Sequence, residues 1–471
     1  MTVRVKQIEI KESVLHRVGG IADAASLKAY AVGGYVRDRL LGKVAPDIDI
    51  VVLGDSISFA KRVAKELGGG KVVTFQKFRT ARVHLNDHEL EFVGARKESY
   101  SKTSRKPTVT EGSLEDDLAR RDFTINALAV SINKERFGAL VDPFDGRKDL
   151  ERRILRTPLS PERTFEDDPL RMMRAVRFAS ELNFSVESGT LDAITGMRER
   201  ITIVSQERVT VELFKILGSP QPSVGFKLMQ QTGLLRFVFP ELAEMAGVEQ
   251  RDDYHHKDVF LHTLKVVDNI ASVTGNVWLR FAALVHDIAK PTTKAFHDRV
   301  GWTFHGHDEA GARMVKGLFR RLRLPMEYAA YVEKLVRLHL RPMVLVDETV
   351  TDSAVRRLLF DAGETIDDLI TLCRADITSK NPRLVDRYWR NYDIVAQKMK
   401  EVEEKDRLRA WQPPVRGDEI MRVCGLKPGP TVGKLKKMIE EAILDGKIPN
   451  EHDAALEYLK QIKDKVIGLE G

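Results

Sequence analysis

The chain reads as an α+β protein, and three observations predict it. Residues 1–150 mix short apolar runs with stretches of helical spacing. From residue 160 onward the pattern is almost wholly helical. Gly and Pro punctuate that second part near 218–225, 240, 291, 325 and 342. At 471 residues the chain exceeds a single core, so roughly three or four domains are expected.

The first elements follow in order. Tyr30–Val32 is a short apolar strand, Gly33-Gly34 a tight turn, Tyr35–Leu41 a helix and Ile48–Leu53 a buried strand. Further strands are expected at Val72–Phe75, Ala81–Leu85, Leu90–Val93 and Leu128–Ile132. The polar stretch Tyr100–Glu115, with Lys102, Arg105, Lys106 and Pro107, reads as a mobile loop beside the site. Trp411-Gln412-Pro413-Pro414 reads as a joint before a last helical piece.

Composition bounds the function. There are 76 basic against 69 acidic residues, a net charge of +7 and a pI near 9.1, a mild excess that suits a polyanionic partner. The two cysteines, Cys373 and Cys424, lie far apart in no metal spacing, which points to a reducing compartment. The N-terminus has no apolar h-region and no run approaches membrane-spanning length, so a cytoplasmic protein without a membrane partner is expected.

Asp47-Ile48-Asp49 is the most informative local feature. Side chains two apart on a strand face the same way, so Asp47 and Asp49 present paired carboxylates. Such a pair can hold two Mg²⁺ ions about 3.5–4 Å apart, the clamp used for displacement at phosphorus. Gly33 and Gly34 let backbone N–H groups approach a phosphate, and Arg37-Asp38 follows them. Glu91, in the strand Leu90–Val93, is a candidate third carboxylate, with Glu89 on the same face.

Four later strings add to this. In Arg120-Arg121-Asp122-Phe123-Thr124-Ile125-Asn126-Ala127, Arg121 can pair with phosphate, Asp122 can accept from a ribose hydroxyl, and Asn126 can bridge backbone and sugar. Asp142-Pro143-Phe144-Asp145-Gly146 reads as a Pro/Gly turn. In residues 165–179, FEDDPLRMMRAVRFA, Asp168 suits a helix cap and Pro169 the first helical position. Arg171, Arg174 and Arg177 then share a face. In Ser205–Leu217, Arg208 and Glu212 are four apart and can brace each other.

These strings, in this order, resemble the nucleotidyltransferase superfamily that includes DNA polymerase beta. In detail they are similar to the bacterial class II CCA-adding tRNA nucleotidyltransferases and their poly(A) polymerase relatives. The family's Glu-Asp-x-x-Arg string aligns on Asp167-Asp168-Pro169-Leu170-Arg171, with Asp in place of Glu. The resemblance implies a polymerase-beta-like head at 1–155, a helical neck at 156–245, an HD domain at 246–380 and a helical tail at 381–471. It implies Mg²⁺ on Asp47 and Asp49, tRNA with CTP and ATP as partners, and base reading by Asp168 and Arg171. Arg174 and Arg177 would support the triphosphate.

The base-reading logic stands on chemistry as well. Cytosine and adenine each show an amino donor beside a ring-nitrogen acceptor. A carboxylate accepts from the first and a guanidinium donates to the second. Guanine and uracil reverse the pattern, and unpaired buried polar groups give rejection of about 10⁴-fold.

The second half carries His262, His286-Asp287 and Asp376, with His307 and His339 nearby. Seven of the 12 histidines (255, 256, 262, 286, 297, 305 and 307) crowd together. The order His, His-Asp, Asp resembles the HD phosphohydrolase superfamily, which implies a second divalent metal, Mn²⁺, Ni²⁺, Fe²⁺ or Mg²⁺. The alternative is a retained helical scaffold that binds tRNA. Gly429-Pro430-Thr431-Val432-Gly433-Lys434-Leu435 is not a phosphate loop, because the glycine gap is short and Leu replaces Ser/Thr; a turn into a helix is expected.

The expected activity is template-independent addition of C, C and A to the tRNA 3′ end. Poly(A) polymerase is the rival on the same scaffold, and Gln76–Val83 lacks the His-Val pair of those relatives. A full-length stretch at 100–115 argues against CC-only addition and leaves A-only addition open. A metal phosphohydrolase with an RNA-binding head is the reading from another class.

Overall fold

The computed structural model of the chain describes residues 7–45, 47–68, 71–76, 79–85, 88–101, 104–252, 255–298, 301–345, 351–379, 381–406 and 414–467. The side chains of 97–110, 249–257, 403–406 and 467 lie outside that description, as do Lys102 and most of the expected joint, 411–413. The chain folds as two compact units, Met1–Pro240 and Glu241–Gly471.

The first unit is built on a seven-stranded mixed sheet. Its strands are β1 (Lys28–Val32), β2 (Asp47–Leu53), β3 (Lys71–Phe75), β4 (Thr80–Leu85), β5 (His88–Gly94), β8 (Ala129–Ser131) and β9 (Leu140–Val141). They lie in the order β3-β4-β5-β2-β1-β8-β9. Within this sheet, among the described residues, only the neighbours β2 and β5 pair in parallel, which puts Asp47 beside Glu89 and Asp49 beside Glu91. Every strand expected from the sequence is present.

The alternation of β2 fixes which face the acids take. Ile48 and Ile50 are fully buried, each stabilising by about 1.5–3 kcal/mol, and this forces Asp47 and Asp49 to the opposite face. Further along that opposite face, Val51 packs with Val32, Ala95, Leu118, Ala127 and Ala129. The acids therefore stand where a covered sheet face opens at the start of β2.

Helices α1 (Ser13–Ala24), α2 (Gly34–Leu40) and α3 (Ser56–Glu66) pack on these strands, and Asp55 caps α3 through the Ile57 and Ser58 N–H groups. The stretch expected to be a loop after residue 100 is instead mostly strand. Here β6 (Arg96–Ser101) pairs antiparallel with β7 (Ser104–Glu111), with an irregularity between Ser99 and Ser101. The β-branched run Thr108-Val109-Thr110 favours strand, and the polar composition hid it. A capping box of Ser113 and Asp116 then starts α4 (Leu114–Ala119).

After α5 (Gly146–Arg152) the unit turns helical, with α6 (Pro161–Asp167), α7 (Leu170–Leu182), α8 (Ser188–Met197), α9 (Gln206–Gly218) and α10 (Pro222–Gln231). Helix α7 packs on α9 and α10. Gly225 on α10 permits the close approach to both, because a Cβ there would lie 2.5 Å from Ile216 Cγ2 on α9 and 3.3 Å from Val176 Cγ1 on α7.

The second unit is a helical assembly. Helices Val259–Val273, Val277–Val285, His307–Arg321, Ala329–Leu338 and Ile366–Asp376 pack around Phe281, Leu284, Phe319, Leu335 and Leu372, all fully buried. A short hairpin, Ala295–His297 with Gly301–Thr303, projects between them in sequence. The long helix Pro382–Asp406 follows. Three more, Gly417–Cys424, Pro430–Leu444 and His452–Ile467, share a core of Ile420, Leu435, Ile439 and Leu459. Pro430 opens its helix directly after Gly429, the turn expected there.

Candidate active site and metal centre

In the first unit, direct contacts join four sequence motifs, and the first two of them bring Gly33 and Arg121 to Asp49. Gly33, at φ +68°, ends β1 and starts α2. A Cβ on Gly33 would stand 2.6 Å from Arg121 Nη1 and 3.7 Å from Asp49 Oδ2, so the glycine makes room for both groups. Burial raises the Asp49 pKa, and the neighbouring Glu91 and Asp47 carboxylates add to the rise against the Arg121 guanidinium. Arg82 donates to Glu91 at 3.1 Å. A carboxylate set on one face whose charges destabilise one another is a donor set suited to a divalent cation.

The second motif is held from below. Asp117, fully buried, pairs with Arg120 at 2.5 Å and Arg121 at 3.1 Å. Asp122 is also buried. Its Oδ1 accepts from Phe123 N–H at 2.9 Å and Asn126 Nδ2 at 3.0 Å, and its Oδ2 accepts from Arg174 Nε at 2.7 Å. Burial would raise the Asp122 pKa, but the Arg174 guanidinium and the Asn126 amide outweigh it and hold the carboxyl below its ordinary range. Asn126 Oδ1 in turn accepts from Arg37 Nη1 at 2.9 Å, and Arg37 grips Asp38 through Nε and Nη2. The third motif keeps its turn reading: Asp142 accepts from Gly146 N–H at 2.7 Å and Arg147 N–H at 3.0 Å. A Cβ at Gly146 would collide with the Thr124 carbonyl, which seats this turn against the second motif.

The fourth motif stands on α7. Asp168 caps it by accepting from Leu170 N–H at 3.1 Å, and Pro169 sits just before the helix. Arg171 donates to the Thr164 carbonyl at 3.2 Å and the Arg120 carbonyl at 2.6 Å, which joins this helix to the second motif. The guanidiniums of Arg37, Arg174 and Arg177 all lie over the Phe178 ring, within 5.3 Å of its centroid.

The brace expected between Arg208 and Glu212 does not form. Arg208 donates to Asp168 Oδ2 at 2.8 Å, and Glu212 lies 2.7 Å from Arg177 Nε. Helix spacing permits the local pair, but packing of α9 on α7 offers each side chain a partner across the helices. The sequence reading also missed Asp117, and it named Asp38 beside Arg37 without giving it a role. Asp117 had a signal in its spacing of three and four residues from Arg120 and Arg121.

In the second unit, His262, His286 and Asp376 come together, as do Asp287, His307 and His339, each trio with donor atoms mutually within 4.8 Å. His262 Nε2 lies 2.9 Å and His286 Nε2 3.4 Å from Asp376 Oδ1. His307 Nε2 lies 3.3 Å from Asp287 Oδ1, and Lys290 Nζ lies 2.7 Å from Asp287 Oδ2.

The rings are aimed by their other nitrogen. Nδ1 of His286, His307 and His339 each lies 2.7 Å from the carbonyl three residues earlier, on Ala283, Phe304 and Val336. His262 Nδ1 meets Thr378 Oγ1 at 2.9 Å. Those carbonyls fix the proton on Nδ1 and leave Nε2 to face inward, the usual orientation of metal-ligating imidazoles. Buried Nε2 of His286, His307 and His339, with Oδ1 of Asp287 and Asp376, make no hydrogen bond. Orphaned buried polar atoms of this chemistry fit a divalent cation. Burial pushes His339 down to about 4, whereas the carboxylates of Asp287 and Asp376 overcome burial and push His286 up to about 10.

Among the described residues no helix is long and apolar enough to cross a membrane. Three family models match the chain: the Poly A polymerase head domain over 29–156, a probable RNA and SrmB-binding site of polymerase A over 183–245, and the HD domain over 259–381. An A-adding tRNA nucleotidyltransferase of Deinococcus radiodurans is 31% identical over 90% of this chain and 94% of its own length. A CC-adding tRNA nucleotidyltransferase of Thermus thermophilus is 33% identical over 90% and 92%. A multifunctional CCA protein of Methylococcus capsulatus is 35% identical over 74% and 81%. In fold, the chain is similar to a CCA-adding enzyme solved with ATP, at a TM-score of 0.64 and 23% identity over 96% of this chain and 95% of that one. The matched head, RNA-binding and HD models, with relatives similar over nine-tenths of the chain, place this protein in the bacterial tRNA nucleotidyltransferase and poly(A) polymerase family that carries an HD domain.

Proposed function

We propose that the first unit adds C, C and A to the tRNA 3′ end from CTP and ATP, without a nucleic-acid template. The observation that carries this is the shared face of Asp47 and Asp49 on β2, opening beside Gly33, Arg121 and Glu91.

Asp47 and Asp49 would hold Mg²⁺, with Glu91 as the adjoining carboxylate. Magnesium bound there supplies positive charge for the attacking 3′-hydroxyl and the departing pyrophosphate. The protein's own groups do the rest. The Gly33-Gly34 turn admits the phosphates, and Arg121 and Arg174 neutralise them. Asp122 holds Arg174 and Asn126 in place, and Asn126 meets the sugar. Arg177, locked to Glu212 and Glu181, shares the Phe178 ring with Arg174 and adds its charge to the triphosphate side. Asp168 and Arg171 read the base through the amino donor and ring-nitrogen acceptor that cytosine and adenine share. Arg208 and the Thr164 and Arg120 carbonyls hold these two side chains.

The alternatives of A-only addition and poly(A) synthesis are separated by one experiment. Purified protein is given tRNA transcripts ending before C, after CC and after CCA, with CTP and ATP. Full CCA addition predicts extension of the first two to the same end and none of the third. Extension of only the CC transcript would reassign the chain as an A-adding enzyme.

A second reading concerns the second unit, and the orphaned imidazole and carboxylate atoms favour it. His262, His286 and Asp376, with Asp287, His307 and His339, hold one or more divalent metals of the Mn²⁺, Ni²⁺, Fe²⁺ or Mg²⁺ group and hydrolyse a phosphoester. Metal analysis of the purified protein, with hydrolysis of a 2′,3′-cyclic nucleotide, tests this reading.

A further inference from the structure

The hairpin beside the His-Asp cluster is assigned no role by the chemistry above. Its first strand, Ala295–His297, is exposed along its whole length. Phe296 and Trp302 are direct cross-strand partners, with ring centroids 5.2 Å apart at 71°. They keep 58% and 45% of their surface exposed, so the pair buries little against the body of the unit. Lys294 Nζ stands 4.4 Å over the Trp302 ring and adds a cation to the aromatic face.

Phe304 links the return strand of this hairpin to the His-Asp cluster. The return strand ends at Thr303, and the next residue, Phe304, supplies the carbonyl that orients His307. Lys290, paired with Asp287, stands 5.7 Å from the Phe304 ring centroid. Trp302 lies five positions before His307, which bounds their backbone separation at about 18 Å.

We propose that Phe296 and Trp302 form a stacking platform for the base of the nucleoside phosphoester that the His-Asp centre acts on. An exposed aromatic pair with an adjacent cation matches the two faces of a nucleotide, a flat base and an anionic phosphate. A free phosphate or an aliphatic phosphoester would gain nothing from the rings, so the platform selects nucleoside-bearing substrates. The inference rests on the phosphohydrolase reading of the second unit and names its substrate class.

The test uses the full chain loaded with Mn²⁺. Binding of adenosine 2′,3′-cyclic phosphate and of glycerol 2-phosphate is measured by calorimetry, and turnover of both is followed in parallel. Wild type should prefer the nucleoside ligand. Trp302→Ala and Phe296→Ala should each reduce that preference by about tenfold to a hundredfold through Kd and KM rather than kcat. Trp302→Tyr should restore it. Preference that is unchanged in both alanine variants overturns the proposal, as does nucleoside binding that survives His286→Ala at full strength. A purely structural role for the pair would weaken both ligands equally, which also overturns it. If nothing is hydrolysed but preference in binding falls in the variants, the hydrolase reading fails and the platform stands.

Discussion

Arg208 on α9 reaches Asp168 at the turn into α7 with a 2.8 Å hydrogen bond. The pair is half exposed, so its worth to stability is about 0–1 kcal/mol. Its consequence is for specificity, because it holds in one place the carboxylate proposed above to read the base. Arg208→Ala should leave thermal stability nearly unchanged yet weaken rejection of UTP and GTP. Asp168→Ala should remove most of the roughly 10⁴-fold rejection such a site can give. Arg171→Ala should lower CTP and ATP use together. Single-nucleotide incorporation with each of the four triphosphates measures all three, and wild-type preference in Asp168→Ala would move base reading elsewhere.

Asp47→Ala and Asp49→Ala should each abolish incorporation while tRNA affinity stays near wild type. Glu91→Gln should be milder, a loss of about 10–100-fold, as expected of a group that supports ligands. Gel-shift and primer-extension assays on the same preparations separate binding from chemistry.

Removing Lys102–Thr108 shortens the β6–β7 pair next to the second motif. CC addition should continue and terminal A addition should fall by an order of magnitude or more. Equal loss of both steps would count against a role for this element in the switch from C to A.

Asp122→Asn should destabilise the first unit by about 3–5 kcal/mol at neutral pH, since it leaves Arg174 without its buried partner. The folded carboxyl titrates below its ordinary 3.8. The pair's contribution is therefore complete above that value and is lost as pH falls through the depressed folded value. Urea unfolding of wild type and variant should accordingly converge in acid, and a gap independent of pH would refute the linkage.

His286→Ala should abolish divalent-metal retention and phosphoester hydrolysis, with CCA addition by the first unit kept within about twofold. Metal analysis after gel filtration reads the first effect independently of activity.

The sequence revealed β2 and its acids because two signals agree there. Ile48 and Ile50 alternate with Asp47 and Asp49, and apolar residues continue the strand. It also revealed the six His and Asp residues of the second unit, although not their division into two trios. It did not reveal pairings set by packing. Arg208 and Glu212 are spaced to meet, yet each finds a partner on or before α7. Arg37 and Asn126 lie 89 positions apart, and no local periodicity signals their contact. The β6–β7 pair was missed because its strands are polar, so no apolar alternation marks them.

The three ring-aiming carbonyls of Ala283, Phe304 and Val336 belong to the main chain, each three positions before its histidine. Every residue type carries a carbonyl, so aim is inherited from backbone path and not from neighbouring side chains. Positions 283, 304 and 336 can therefore drift in sequence without turning the rings, provided the local turn survives. Among relatives, the histidines and aspartates could be kept while their immediate surroundings diverge, leaving the centre recognisable by its skeleton long after its lining has changed.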